Sequence, residues 1–291
     1  MPTNKFLYFF CVMMVGSFVN IFAAAAQQKY TAKDSIEVYK LLDAADEADG
    51  KGSMDTALRL VHTAMEKSRQ RNFLRGQAFA HLKMADLNLK REGAQNLQEY
   101  YDNASYAARQ LNDNFLTGLV FLQRAQQKGS VGEYEEAEKY CKQALNHFNL
   151  TDSIHYTAKT YNELGYVVEK TGRYEEATAY NLKAIPLFEK AGDTKGAANT
   201  SGNQAVVYFK LGKKEEALKM FKESAESRET IGDIKGLAAT YGNIATVYLP
   251  INDDSAKKYF ALQLHNAQKS GVKANMLSNM HKTIRVLKQD R

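Results

Sequence analysis

The chain has 291 residues, 44% hydrophobic and 25% charged, with three prolines, two cysteines and no tryptophan. That composition is globular and excludes both a disordered chain and a disulfide-stapled one. The 39 basic residues exceed the 33 acidic ones by six, yet the two signs are interspersed, which marks a solvated exterior and not a nucleic-acid surface.

Residues 1–26 read as an export signal. Lys5 precedes an apolar run from Phe6 to Phe22, which gives way to Ala23-Ala24-Ala25-Ala26 and then to the polar stretch Gln27-Gln28-Lys29. Small residues before a polar exit suit signal peptidase. The run from Leu7 to Ala26 is also long enough to span a bilayer, so an uncleaved amino-terminal anchor is the alternative. Gly16, Ser17 and Asn20 weaken a permanent span. The expected localisation is therefore periplasmic or secreted, with membrane attachment only through that first segment. Cleavage removes Cys11 and leaves Cys141 alone, so no intramolecular disulfide supports the fold and packing must.

From residue 33 to 270 the sequence repeats. Ala45, Ala85, Ala125, Gly165, Ala205 and Ala245 stand forty residues apart and are all small. A second series runs Ala57, Leu97, Ala137, Ala177, Ala217 and, one residue early, Ala256; a third runs Ala64, Ala104, Ala144, Ala184 and Ser224, then fails at Gln263. Two antiparallel helices approach to about 8 Å only where no bulky side chain separates them. Small residues therefore mark crossing points, and larger residues at helical spacing, such as Tyr161, Leu164 and Val168, fill the space around them.

Each predicted pair of helices is joined at a glycine, as in Val131-Gly132-Glu133, Thr171-Gly172-Arg173 and Leu211-Gly212-Lys213. Glutamate pairs follow at 135–136, 175–176 and 215–216, where negative charge complements the start of the second helix. Gly192-Asp193 and Gly232-Asp233 close one repeat and cap the next. Pro186 falls inside a predicted second helix and is expected to kink or shorten it; Pro250 replaces the glycine turn of the sixth repeat.

The pattern of aromatic, Leu-Gly and hydrophobe followed by Ala, hydrophobe and Ala, clearest in Tyr161, Leu164, Gly165, Val168, Ala177 and Ala184, resembles the tetratricopeptide repeat. The forty-residue period without a closing proline is more similar to the long-repeat subset of that family. The resemblance implies an all-α fold, an α-solenoid forming a right-handed superhelix of about six antiparallel helix-turn-helix units. A final amphipathic stretch, Val272 to Leu287, is expected to cap it with polar His281, Lys282, Arg285 and Lys288 outermost, so that residues 272–291 form a C-terminal capping helix.

Chemistry has little local support. Six histidines are scattered without paired-ligand spacing, and Cys141 falls at a core position where Val61, Tyr101, Asn181 and Phe221 stand in other repeats. The acidic stretch around Gly50 fails as a calcium loop, because Ala45 and Thr56 occupy the first and last ligand places. No phosphate-binding or serine-nucleophile motif occurs, so no enzyme, cofactor or metal is expected, and no nucleic-acid partner either.

What remains is the groove that the first helices of such a solenoid line, where a protein or peptide partner is expected to bind. One place before the leucine register stand Asp43, Lys83, Gln123, Glu163, Asn203 and Asn243, all polar. The resemblance implies that an asparagine here holds the backbone of a bound peptide, a role that transfers to Asn203 and Asn243 alone. Gln126, Tyr166 and Lys210, further along the first helices, are read as sharing the face with Gln123 and Glu163. Solvated helix surface accommodates the same residues equally well. Two functions follow: an exported non-enzymatic scaffold, or a sensory input module similar to the periplasmic repeat regions of two-component histidine kinases.

Overall fold

The computed structural model describes residues 32–91 and 96–271. The predicted signal, residues 1–26, and the predicted capping helix, residues 272–291, lie outside them. Among the described residues the chain forms twelve α-helices and no strand, in the order α1 (Ala32–Gly50), α2 (Met54–Gln70), α3 (Leu74–Leu89), α4 (Leu97–Gln110), α5 (Asn114–Ser130) and α6 (Tyr134–Phe148), followed by α7 (Ile154–Lys170), α8 (Tyr174–Lys190), α9 (Thr194–Lys210), α10 (Lys214–Thr230), α11 (Ile234–Tyr248) and α12 (Asp253–Lys269). Consecutive helices pair as hairpins, and the fold is an all-α solenoid. The residues divide into two compact blocks, one ending at Leu116 and one starting at Thr117.

Within each block the hairpins close on the small residues. Ala45, Ala85, Ala125, Ala205 and Ala245 are fully buried, as are Ala57, Ala137, Ala177 and Ala217 on the second helices. Leu97, which breaks the second series, is half-buried at the start of α4. Gly165 shows the constraint most sharply: a Cβ placed there would lie 2.1 Å from Asn181 Oδ1 on α8. Asn181 is itself fully buried and donates to Gln204 Oε1 at 3.1 Å, while Gln204 donates to Thr178 Oγ1 at 3.0 Å. Two polar residues at core positions thus pair between α8 and α9, although the buried Asn181 Oδ1, which faces Gly165, has no hydrogen-bond partner.

The turns take the conformations that their residues favour. Gly52, Gly132, Gly172 and Gly212 have φ between 75° and 83° between first and second helices. Where Gly192 and Gly232 close later repeats, Asn72 and Asn112 adopt the same left-handed region at φ 53° and 48°. Asp193 and Asp233 accept the backbone N–H of Gly196 and Gly236, at 2.8 and 3.2 Å, and so cap α9 and α11. Pro186 does not shorten its helix: α8 runs unbroken for 17 residues, as long as α7, α9 and α10. The carbonyl that the missing N–H leaves free belongs to Leu182, an exposed residue, so water can serve it.

A recurrent aromatic pair joins the two helices of a hairpin. In the first block His81 meets Tyr100 at 6.0 Å between ring centroids. In the second block Phe121 meets Tyr140 at 6.1 Å, Tyr161 meets Tyr180 at 6.2 Å, and Tyr241 meets Tyr259 at 5.9 Å. Arg228 occupies the place where Phe148 and Phe188 stand in the two preceding repeats. It is buried and charged, and is held by Asp233 at 2.5 Å and Asn199 Oδ1 at 2.6 Å. Both members of that ion pair are shielded, so removing either strands the other.

Two predictions follow from the packing. Gly165→Ala is expected to cost about 1–3 kcal/mol in urea unfolding. Adding Asn181→Ala is expected to recover part of that loss, because the obstructing amide is gone. His81 is buried, its Nδ1 has no hydrogen-bond partner, and its pKa is lowered to about 4 by burial first and then by Arg69. The unfolded chain accepts the proton near the ordinary value, so the stabilisation is complete above pH 6.5 and is lost as pH falls toward 4. Between pH 7.5 and 5 the first block is expected to lose about 2 kcal/mol from this group. His81→Phe is expected to flatten that dependence.

Candidate binding face

In the second block the seven residues expected to line a groove all fall on the first helices α5, α7, α9 and α11, at recurring positions. Gln123, Glu163, Asn203 and Asn243 share one register, Gln126 and Tyr166 a second, and Lys210 a third. Their surroundings differ. Asn243 and Gln126 are exposed, while Gln123, Glu163, Tyr166 and Asn203 are half-buried.

Several of these side chains tie adjacent first helices together. Asn203 Nδ2 on α9 donates to Asn162 Oδ1 on α7 at 3.0 Å, and Thr200 Oγ1 donates to the same oxygen at 3.0 Å. Lys210 on α9 pairs with Glu169 on α7 and lies 5.7 Å from the Tyr174 ring centroid. The hydrogen bond to Glu169 raises the Lys210 pKa against a smaller opposing effect of burial. Burial dominates at Glu163 on α7 and pushes its pKa up to about 7, with the nearby Gln126 side chain on α5 pulling the other way.

The first block uses the same registers with different residues. Lys83 on α3 pairs with Asp46 on α1, thirty-seven residues earlier, the spacing that separates Glu163 from Gln126. Lys90 pairs with Asp49 at 2.7 Å, forty-one residues earlier, the spacing that separates Lys210 from Glu169. Burial opposes the charge on Lys83, but the Asp46 and Asp86 carboxylates outweigh it and hold the ammonium above its usual range. These cross-braces were not legible as a series, since a lysine-aspartate pair and a glutamate-glutamine pair share no residue type.

No group of three or more His, Cys, Asp or Glu side chains suited to a metal ion occurs among the described residues, and no described helix is long and apolar enough to cross a membrane. Cys141 is fully buried on α6, and burial, before the nearby Glu163 and Glu138 charges, raises its pKa well above the usual thiol value. His155 sits 3.4 Å from Asp193 and edge-on to Tyr156 and Phe188, a packing role. A second concavity, about 390 Å³, opens between α10, α11 and α12 around Ala225, Tyr241, Ile244 and Tyr259. It exists where Ala225 replaces the bulkier Leu145 and Ile185 of the two preceding repeats, a departure that the sequence shows once the register is known.

Residues 116–190 and 156–230 match the sequence model of the tetratricopeptide repeat. The matched segment is a run of tetratricopeptide repeats. It carries most of the stripe, from Gln123 to Lys210. No curated protein sequence matches the chain. Among solved structures the chain resembles RapI in its apo form, with 14% identity over 87% of this chain and 77% of that one and a TM-score of 0.65. It resembles aspartyl phosphate phosphatase F of Bacillus subtilis at 15% identity over 89% and 70%, with a TM-score of 0.64. A signal-transduction ATPase with numerous domains from Pyrococcus horikoshii, which has a tetratricopeptide repeat sensor, aligns at 16% identity over 87% of this chain with a TM-score of 0.66. This chain spans only 39% of that protein's length. At such identities the likeness is one of fold.

The bracing itself is testable. Asn162→Ala removes the acceptor shared by Thr200 and Asn203 and is expected to destabilise the second block by about 1–2 kcal/mol in denaturant unfolding. Asn243→Ala, at an exposed place with no such tie, is expected to stay within about 0.5 kcal/mol of the parent.

Proposed function

We propose that this chain is an exported, non-enzymatic scaffold that binds a protein or peptide across the first-helix face of its second block. The observation that carries the reading is the polar stripe itself. Amides recur in one register, some fix one helix to the next, and Asn243 stays exposed with both a donor and an acceptor to offer. A braced, preorganised face loses little freedom on binding, which favours affinity. Export is read from residues 1–26 and the periplasm or exterior is the proposed location.

Relatives in fold support a role in recognition. A Rap protein solved in complex with Competence and Sporulation Factor aligns at 16% identity over 86% of this chain, with a TM-score of 0.60. The repeat sensor of the Pyrococcus protein favours a second reading, a sensory input module of the kind attached to two-component kinases. An in-frame membrane span and kinase downstream of Arg291 in the genomic DNA would establish that second reading.

The scaffold reading is tested by placing a photo-crosslinking residue at Asn243 and, as a control, at exposed Leu182 on the second-helix side. Illumination in the envelope fraction of the source cell is expected to give a discrete adduct from the first site and none from the second. Equal labelling from both sites would remove the assignment of the face.

A further inference from the structure

We propose that the concavity between α10, α11 and α12 is a second binding site and takes a short free peptide of about three residues. The peptide's carboxylate meets Lys222 and Lys258, its ammonium meets Glu226 and Glu229, and its central aliphatic side chain lies over Ala225. The site opens along the second helices, so the inference stands apart from the proposed role of the first-helix face.

The site begins with a small residue at a place that elsewhere holds a large one. Leu145 and Ile185, the counterparts of Ala225 in the two preceding repeats, are half-buried. At Ala225 a space of about 390 Å³ opens instead, floored by Ala225 and Ile244, both buried, and bounded by Leu262. Small-ligand sites span about 300–1,000 Å³ and set a few polar groups around an apolar floor. The floor suits an aliphatic side chain, the group that the chain itself supplies at this place in the other two repeats.

The charges around that floor are sorted along its length. α10 and α12 are second helices of successive hairpins and run in the same direction, with Lys222 level with Leu262 and Lys258 one turn before it. Both lysines therefore stand toward the start of the groove, while Glu226 and Glu229 follow Lys222 by one and two turns of α10. At about 1.5 Å of rise per residue, the two signs are separated along the axis by about 6–10 Å. The ammonium and carboxylate of a single amino acid share one carbon and cannot span this. An extended chain gains about 3.3–3.6 Å per residue, so the two ends of a tripeptide can. Ala225 lies between the two ends, below the middle residue of such a ligand.

The surrounding groups orient these charges without cancelling them. Tyr241 donates its hydroxyl to Glu229 Oε1 at 2.5 Å, which aims that carboxylate; burial, before that contact, pushes the Tyr241 pKa up to about 12, so the donor keeps its proton. Tyr259 stacks on Tyr248 at 5.7 Å between centroids, and the Lys258 ammonium lies 5.8 Å from its ring centroid. Lys222, Glu226 and Lys258 are exposed and form no ion pair among the described residues. Of the charged residues beside them, Arg228 is engaged by Asp233, and Lys257 by Asp253 at 3.8 Å. Two cations at one end and two anions at the other complement a ligand that carries one charge of each sign.

The test is isothermal titration calorimetry of the full chain with the tripeptide Ala-Leu-Ala. Saturable binding is expected, and acetylating the amino end, amidating the carboxyl end or replacing the leucine by glycine is each expected to weaken it about tenfold. Lys222→Gln is expected to shrink the penalty for amidation and to keep the penalty for acetylation. Glu226→Gln is expected to do the reverse. Ala225→Leu, which copies the third repeat, is expected to unfold at no lower urea concentration than the parent and to lose binding. If that variant does not fold, the crossed responses of the two charge variants decide the matter. No saturable binding to the parent, undiminished binding by folded Ala225→Leu, or equal affinity for the free and the doubly capped peptide overturns the site, and none of these results bears on the first-helix face.

Discussion

Everything in this fold depends on helices meeting where a side chain is absent or nearly so. The buried alanines of the first and second helices, with Gly165 as the extreme, set the distance between helices. Once that distance is fixed, the turn glycines, the capping aspartates and the aromatic pairs have only one arrangement that satisfies them together. A bulky substitution at a crossing point therefore acts on the whole hairpin, since densely packed neighbours have nowhere to retreat.

Departures from the repeat come in compensating sets. Asn181 looks misplaced in a core register that elsewhere holds Val61, Tyr101, Cys141 and Phe221, yet its amide nitrogen finds a partner in the equally buried Gln204. Arg228 stands where phenylalanine stands in the two preceding repeats, and Asp233, already used to cap α11, neutralises it. Such pairs give individual hairpins a private fit to their neighbours. Otherwise identical repeats would slip past one another with little penalty, and a buried polar pair penalises the wrong register by stranding its members.

The parts of this architecture that were legible in the sequence are those that recur as the same residue type. Small residues at forty-residue intervals, the glycine turns, the glutamate pairs and the aspartate caps all belong to this class, because local backbone geometry and close helix contact each select a narrow set of residues. The placement of Gln123, Glu163, Asn203 and Asn243 on one stripe followed from the same periodicity. Their division into tied and untied members did not. Asn203 reaches Asn162, and Lys210 reaches Glu169, across helices separated by a full repeat, and the chemistry of those contacts changes from one repeat to the next. Pro186 misled for a related reason. Its effect depends on whether water can reach the Leu182 carbonyl, which is a matter of exposure and not of spacing.

The two blocks show how one register can serve two ends. A cross-brace between adjacent first helices can be an ion pair, as at Asp46 and Lys83, and then the face it builds is electrostatically closed. At the same spacing in the second block an amide and a carboxyl, Gln126 and Glu163, stand in place of the pair, and burial raises the pKa of that carboxyl to about 7. The mechanical task needs only a donor and an acceptor, so the charge is free to vary without loss of the brace. In a repeat fold this separates stability from recognition: the alanine and glycine contacts hold the helices, and the braces can be altered one at a time to change what the face attracts.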